Sequence, residues 1–397
     1  MKHSFRQTGL AALAFAAVLA GCNTADQQPV QAVNNNQQEI PSTAKSGDVI
    51  PGSYIIVLRP DAGIQGNLGA VTGKVHAILT DHGISKSALA AIYETALQGF
   101  SVNISAENAG LLSKDPRVQF VEKDRVATLD PNEMVGVPEY GPRAQAQSTP
   151  WGITRVGGAS NGTGKTAWVI DTGIDPNHAD LTVNTTKSRN FSSGNSYTDG
   201  NGHGTHVAGT IAAKNNNNYV VGVAAGATVV AIRVLNNNGS GTTTSILNGI
   251  NYVSNNAAAN DVANMSLGFG GVVTSVDNAV TTLANKGVKI AIAAGNSGVH
   301  AGNVTPARVN HSNVYTVTAM NSSNAMASFS NYGNPPCDYA APGVSVLSLW
   351  KSGGSNTISG TSMAAPHVAG ILLLGAVATD GYITGDKDGT PDPIAHR

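Results

Sequence analysis

A serine hydroxyl is a weak nucleophile at neutral pH. It becomes an effective one when a neighbouring base takes its proton and a buried carboxylate holds that base in the right tautomer. The 397-residue chain carries all three side chains in distinctive settings. Asp171 stands in Val169-Ile170-Asp171-Thr172-Gly173, His203 in Gly202-His203-Gly204-Thr205-His206, and Ser362 in Ser359-Gly360-Thr361-Ser362-Met363-Ala364. Taken singly, each has an ordinary reading as a strand-end cap, a loop histidine or a helix N-cap. Taken together, in the order Asp, His, Ser, they are the parts of an acyl-transfer site. A helix opening at Ser362 would also point its positive end at the place where an oxyanion forms. His206 follows His203 by three residues but lacks the spacing and the glutamate of a His-Glu-x-x-His zinc motif, so it reads as structural.

These motifs and their order resemble the subtilisin-like serine peptidases, closest in wording to the proteinase K-like branch, over roughly residues 146 to 377. An esterase of the α/β-hydrolase type is disfavoured, because Ala364 stands where its nucleophile elbow needs glycine and its order Ser, Asp, His is not kept. The resemblance implies a serine endopeptidase acting on proteins and peptides through an acyl-enzyme, with structural Ca2+ and no catalytic cofactor. It makes Asn296, in Ala294-Gly295-Asn296-Ser297-Gly298, the side-chain donor to the oxyanion beside the Ser362 backbone N–H. It makes Ser266, Leu267 and Gly268 the strand on which an extended substrate pairs. Ala294 and Gly295 would wall the pocket ahead of the cut, which implies broad cleavage after apolar or aromatic residues. Gln147, Asp180, Lys214, Asn216, Asn218 and Val220 match a calcium site of the family, where side chains and loop carbonyls supply the roughly six to eight oxygens the ion takes.

The same resemblance reaches residues 49–129, which look like the family's inhibitory propeptide, most plainly at Gly52 to Pro60 and Val118 to Val126. Residues 130–145 then form a linker with the processing site, since Ala146-Gln147-Ser148-Thr149-Pro150-Trp151-Gly152 resembles a mature N-terminus, and 146–397 form the catalytic domain. Asp386 to Asp392 carry half of a calcium-loop pattern, which a solvated tail would explain equally well. The 35 residues after Ser362 are few for this family, so the helix that commonly packs behind the serine helix should be missing or replaced.

Such side chains meet only if distant segments are held by a common frame. Short apolar runs at 167–170, 228–235, 260–267, 288–294 and 314–318 alternate with helical patterns at 203–213, 243–255, 273–285 and 362–377, which predicts an α/β fold with a doubly wound, mostly parallel sheet. In such sheets sites form beyond the carboxyl ends of strands, where Asp171, Ser266 and Asn296 all fall. Ahead of it, residues 53–121 read as βαββαβ, a small ferredoxin-like α+β domain.

Charged residues make up 12% of the chain, about half the usual ~25%. The formal net charge is −1, and no block of like charge suits a phosphate backbone, so nucleic acid is not an expected partner. Lys2, His3 and Arg6 precede an apolar run from Leu10 to Leu19, too short to span a bilayer, which reads as an export signal. It ends in Leu19-Ala20-Gly21-Cys22, which looks like a bacterial lipobox, so residues 1–22 are expected to be a lipoprotein-type signal with a lipid anchor at Cys22. Residues 23–48, rich in Gln and Asn, are expected to be a disordered tether. The protein is thus expected outside the cytoplasm, extracellular or in the cell envelope. Cys337 is the only other cysteine and is expected to be a small buried hydrophobe.

Overall fold

The computed structural model describes residue 1 and residues 40–41, 43–60, 68–130 and 146–397. Cys22, the signal, most of the tether and the linker 131–145 lie outside the described residues.

The first block contains β1 (Val49–Leu58), α1 (Leu68–Asp81), β2 (Leu89–Tyr93), β3 (Gly99–Asn103), α2 (Ala106–Leu112) and β4 (Val118–Thr128). Its strands pair antiparallel in the order β4-β1-β3-β2. In α1 the apolar positions Val71, Val75, Ile78 and Leu79 recur at helical spacing and close over Ile56, Leu58, Phe100 and Val102. Ser105 starts α2 by accepting the Asn108 N–H. The opposite sheet face, with Ile55, Val57, Tyr93 and Ala127, is buried in the core of the larger body.

That body contains α3 (Trp151–Arg155), β5 (Thr166–Asp171), α4 (His203–Ala212), β6 (Thr228–Arg233), β7 (Ser240–Thr242), α5 (Thr243–Asn256), β8 (Val262–Met265), α6 (Thr274–Asn285), β9 (Lys289–Ala293), β10 (Val314–Met320), β11 (Cys337–Pro342), β12 (Val346–Trp350), β13 (Gly354–Ile358), α7 (Thr361–Leu374), β14 (Ala378–Tyr382) and β15 (Pro393–His396). The central strands lie in the order β11-β10-β9-β8-β5-β6, every pair parallel. The chain leaves β5 for β6 on one side and then crosses to β8 on the other. This reversal opens a crevice at the carboxyl ends of β5 and β8, the place where open α/β sheets hold ligands. The sheet is covered on both faces, which is why its strands are apolar runs and not alternations.

One feature goes beyond the expected elements, and the expected replacement of the helix after the serine helix takes a definite form. β4 continues to Thr128, well past Val121. No helix follows α7; the antiparallel hairpin β14–β15 takes its place, and β15 extends the sheet by pairing parallel with β11. The Asp386 to Asp392 loop inside this hairpin is closed on itself: Asp386 accepts the Asp392 N–H, Asp388 accepts those of Thr390 and Asn334, and buried Asp392 accepts the Thr318 hydroxyl. Cys337 is buried and free, and burial pushes its thiol pKa up.

Candidate active site

β5 delivers Asp171 at its last position, in register with Arg233 of β6. The carboxylate accepts the Thr172 N–H over 2.6 Å. His203 opens α4 and sets Nδ1 2.8 Å from Asp171 Oδ1 and 3.0 Å from Oδ2, with both side chains fully buried. A carboxylate can only accept, so Nδ1 carries the proton and the neutral ring keeps its basic lone pair on Nε2. The approach is close enough that Gly204 lies against the Gly173 carbonyl, where a side chain has no room.

Asp199, which the sequence reading passed over, holds this loop. Its Oδ1 accepts from Thr172 Oγ1, Asn201 N–H and Gly202 N–H, and its Oδ2 from Thr205 N–H and Thr205 Oγ1, all between 2.7 and 2.9 Å. Thr172 Oγ1 in turn accepts the Gly204 N–H. One buried carboxylate thus binds the segment after Asp171 to the first turn of α4. The signal in the sequence was an acid four residues before His203.

Ser362 sits in the first turn of α7, which packs against α4. Its carbonyl accepts Ser266 Oγ at 2.8 Å, and that hydroxyl accepts Asn264 Nδ2 at 2.9 Å, so the turn is fixed to the end of β8. The Ser362 hydroxyl donates to the Ser266 carbonyl over 3.3 Å. Asn296 follows β9, and its Oδ1 accepts both the Thr361 N–H and the Thr361 hydroxyl at 2.8 Å. With the oxygen end held by donors, the amide NH2 is the donor end beside Ser362. Thr361 is a second residue missed from sequence; its hydroxyl also accepts the Gly295 N–H.

Ser362, Asn296 and Thr361 line a cavity of about 260 Å³ together with Ser266, Leu267, Gly268, Ala293, Ala294 and Gly295. Val304, Thr305 and Ala307 also line it. Gly295, at φ +102°, stands against the Asn331 amide, where a side chain would collide. The walls are small and apolar, and the charged group in the lining comes from the first block.

Beyond Val121, β4 pairs antiparallel with β7, matching Val126 to Thr242, Ala127 to Gly241 and Thr128 to Ser240. The Leu129 N–H continues the ladder to the Gly239 carbonyl, and Thr128, Leu129 and Asp130 line the cavity with Ser362. β7 is therefore a second backbone edge of the cleft, opposite Ser266–Gly268, which the sequence reading did not name. Two acids of β4 reach helix N-termini of the larger body: Glu122 accepts from Thr274 N–H, Ser275 N–H and Ser275 Oγ at the head of α6, and Asp124 accepts from Thr244 N–H and Thr244 Oγ1 at the head of α5. Asn251 of α5 returns the favour, its Oδ1 accepting the N–H groups of Glu94, Thr95 and Ala96.

The residues matched to a calcium site also converge. Gln147 Oε1 accepts the N–H groups of Asn216 and Asn217, Asp180 Oδ1 accepts Asn216 Nδ2, and Ala146 and Ser148 bridge to Asn218 and Val220. The Lys214 N–H donates to the Asp180 carbonyl. Asp180 is fully buried, its Oδ2 has no hydrogen-bond partner, and burial pushes its carboxyl up to about 6. A buried carboxylate oxygen without a hydrogen-bond partner, beside Gln147 and the 214–220 loop, fits a hard cation. Among the described residues no group of three His, Cys, Asp or Glu is placed to hold a metal ion, so neutral oxygens would have to complete the shell. His206 Nε2–H donates to the Val346 carbonyl, and burial pushes its pKa down to about 3, in keeping with a neutral structural role.

A buried Asp–His pair and a serine at a helix head that lines a cavity are the features expected of a serine peptidase. The family model described as Subtilase family (peptidase S8) matches residues 162–382, and that of peptidase inhibitor I9 matches residues 53–130. A subtilisin-like serine protease of Sarocladium strictum is 40% identical over 337 residues, covering 77% of this chain and 81% of the relative. Proteinase R of Parengyodontium album is 32% identical over 86% of this chain and 84% of its own. The solved structure of a cold-adapted subtilisin-like serine proteinase aligns at 37% identity with a TM-score of 0.54, covering 62% of this chain and 97% of that one. The chain belongs to the subtilase family: it is a serine endopeptidase with an I9 propeptide domain at its N-terminal side.

Proposed function

We propose that the protein is an exported endopeptidase made as a self-processing zymogen, with Ser362 as nucleophile, His203 as base and Asp171 as the carboxylate that orients it. Ser362 Oγ attacks the substrate carbonyl while His203 Nε2 takes the hydroxyl proton and then gives it to the leaving amine. The acyl-enzyme is released when water repeats the exchange. Asp171 stays ionised and stabilises the imidazolium. The Asn296 amide and the Ser362 N–H receive the oxyanion, and the positive end of α7 favours it further. Substrate lies extended between Ser240–Thr242 and Ser266–Gly268, and the small apolar walls at Ala293–Gly295, Val304 and Ala307 favour apolar or aromatic side chains ahead of the cut.

Residues 49–129 act as the inhibitor, because their last strand fills the cleft along β7. Asp130 lies in the cavity and Ala146 is bridged to Asn218 of the catalytic body, so maturation cuts fall between them. Ca2+ held by Asp180, Gln147 and Asn216 side chains with carbonyls of Lys214, Asn218 and Val220 would tie this N-terminal segment down. Export and a lipid at Cys22 are supported by the sequence of residues 1–22 alone.

Two observations carry this reading: the fully buried Asp171–His203 pair, and a cavity shared by Ser362, Asn296 and the chain's own residues 128–130. Labelling of the mature enzyme with a fluorophosphonate tests it. The label should sit on Ser362 and vanish in Ser362→Ala; undiminished labelling in that variant would refute the assignment.

A further inference from the structure

The expected tether reaches residue 48, yet its last residues are held in the cleft. The Gly47 N–H donates to the Val126 carbonyl and the Val126 N–H to the Asp48 carbonyl, both at 2.8 Å. Val126 is also matched to Thr242 of β7 on its other edge. The strand entering the cleft is therefore flanked on one side by the catalytic body and on the other by residues 47–48. Arg125 Nη1 donates to the Gly47 carbonyl at 2.7 Å, and the Lys45 N–H donates to Asp48 Oδ2 at 2.8 Å, which closes the turn.

From this turn Ser46 reaches the substrate-binding backbone itself. Its hydroxyl donates to the Gly268 carbonyl at 3.3 Å and accepts the Gly270 N–H at 3.0 Å, and Ser46 lines the same cavity as Ser362. The backbones meet so closely that a Cβ on Gly270 would lie 2.9 Å from the Ser46 carbonyl oxygen, and one on Gly47 would lie 3.1 Å from the Gly270 oxygen. Gly47 itself has φ +92°. Both partners are thus glycines at the point of contact, one of them in a conformation that favours glycine.

We propose that residues 45–48, which precede the I9 match at residue 53, are a working part of the inhibitor: a clamp seated on the Gly268–Gly270 backbone that shuts the edge of the cleft which β4 leaves open. Gly268 ends the strand on which substrate is proposed to pair, so Ser46 occupies hydrogen-bonding positions that a substrate backbone would otherwise use. The clamp also ties the exit strand to the body, since β4 with Gly47 and Asp48 paired to it cannot leave β7 unless the Ser46 bonds to Gly268 and Gly270 break. This inference rests on the proposed inhibitory role of residues 49–129.

The test uses full-length chains. In the Ser362→Ala precursor the Gly270 amide should be protected from hydrogen exchange, and Ser46→Ala should speed its exchange by roughly three- to tenfold, the effect of one hydrogen bond. In the chain with an intact triad, Ser46→Ala should shorten the lag before activity appears by a similar factor, and Gly47→Val, which forces the turn away from Gly270, should shorten it further. Active-site-titrated activity after maturation should be unchanged in both, because residues 45–48 leave with the block. Equal lag and equal Gly270 exchange in all chains would overturn the clamp. The control is the pair Glu122→Ala and Asp124→Ala: if they shorten the lag while the Ser46 and Gly47 variants do not, the clamp alone fails, and if they too leave it unchanged, the inhibitory reading fails and takes the clamp with it.

Discussion

The two folded regions bury their residues by different means. In the catalytic body the serine helix α7 is buried along nearly its whole length, from Thr361 to Leu373, and the parallel strands around it are covered on both faces. The first block has a small core of its own under α1 and α2, and it meets the body through one sheet face, one exit strand and a few directed polar contacts. Those contacts are of a kind that a single cut weakens: carboxylates at helix ends, a three-residue ladder, and side chain to backbone bonds. On the proposed reading one region stays, and the other holds firmly until the chain between them is broken.

The largest effect expected short of removing the nucleophile is in the body. Asn296→Ala should lower kcat by roughly 10²–10³ with KM little changed, a magnitude carried over from subtilisin, the relative in which the corresponding loss was measured. The variant should also mature slowly, since its first substrate is its own linker. An equal loss in KM would place Asn296 in substrate binding and not in the oxyanion site.

Calcium sharpens the contrast, because its proposed ligands all lie in the body. A ligand bound only by the folded state at about a hundredfold excess over Kd stabilises by ~2.7 kcal/mol, and for a domain of this size that is a melting-point shift of roughly 5–10 °C. Chelator should lower the melting midpoint of the mature enzyme by this amount, and Asp180→Asn should remove the response to added Ca2+. A midpoint indifferent to Ca2+ would eliminate the site at Gln147, Asp180 and Asn216.

How much of this was open to the sequence depended on whether the information was local. Asp171, His203, Ser362 and Asn296 stand in motifs whose neighbours are required by the site itself: Gly204 clears the Gly173 carbonyl, and Thr361 grips the Asn296 amide oxygen. The central strands were legible because burial on both faces makes them uniformly apolar. The charged stretch Glu122-Lys123-Asp124-Arg125 carries no local sign that its two acids cap helices more than 100 residues away. β7 is three residues with a glycine, too short to carry a periodicity, and its role exists only through its partner β4. The β14 strand is exposed at every position, so no alternation marked it.

The helix caps give the next prediction. Glu122→Ala and Asp124→Ala each remove a carboxylate from a helix N-terminus, an effect of about 1 kcal/mol for a cap, so each should release the block roughly fivefold faster after cleavage, while the titrated activity of the mature enzyme stays the same. A change in mature activity would mean that these acids act on the body and not only on the contact.

The smallest effect is on pH. Burial against the body raises the Asp124 carboxyl above the ordinary carboxylate range. A group with a raised pKa in the docked state takes up a proton on docking. That contribution is present below the free group's pKa and fades as pH rises through the raised value. The block should therefore loosen as pH rises through the raised value of Asp124. Hydrogen exchange at residues 126–129 of the Ser362→Ala precursor, corrected for intrinsic rates, should report this opening, and Asp124→Asn should flatten it. Tightening with rising pH would reverse the sign and contradict the account.

The central claim is that the chain cuts itself between a region made to leave and a region made to stay. Mass spectrometry of purified full-length chains, with and without Ser362, tests it most directly. The intact enzyme should yield a catalytic fragment whose N-terminus falls between residues 131 and 146, and the Ser362→Ala chain, free of other proteases, should remain joined across that interval. A Ser362→Ala chain cut there at the same rate, or an active enzyme still joined there, would contradict it.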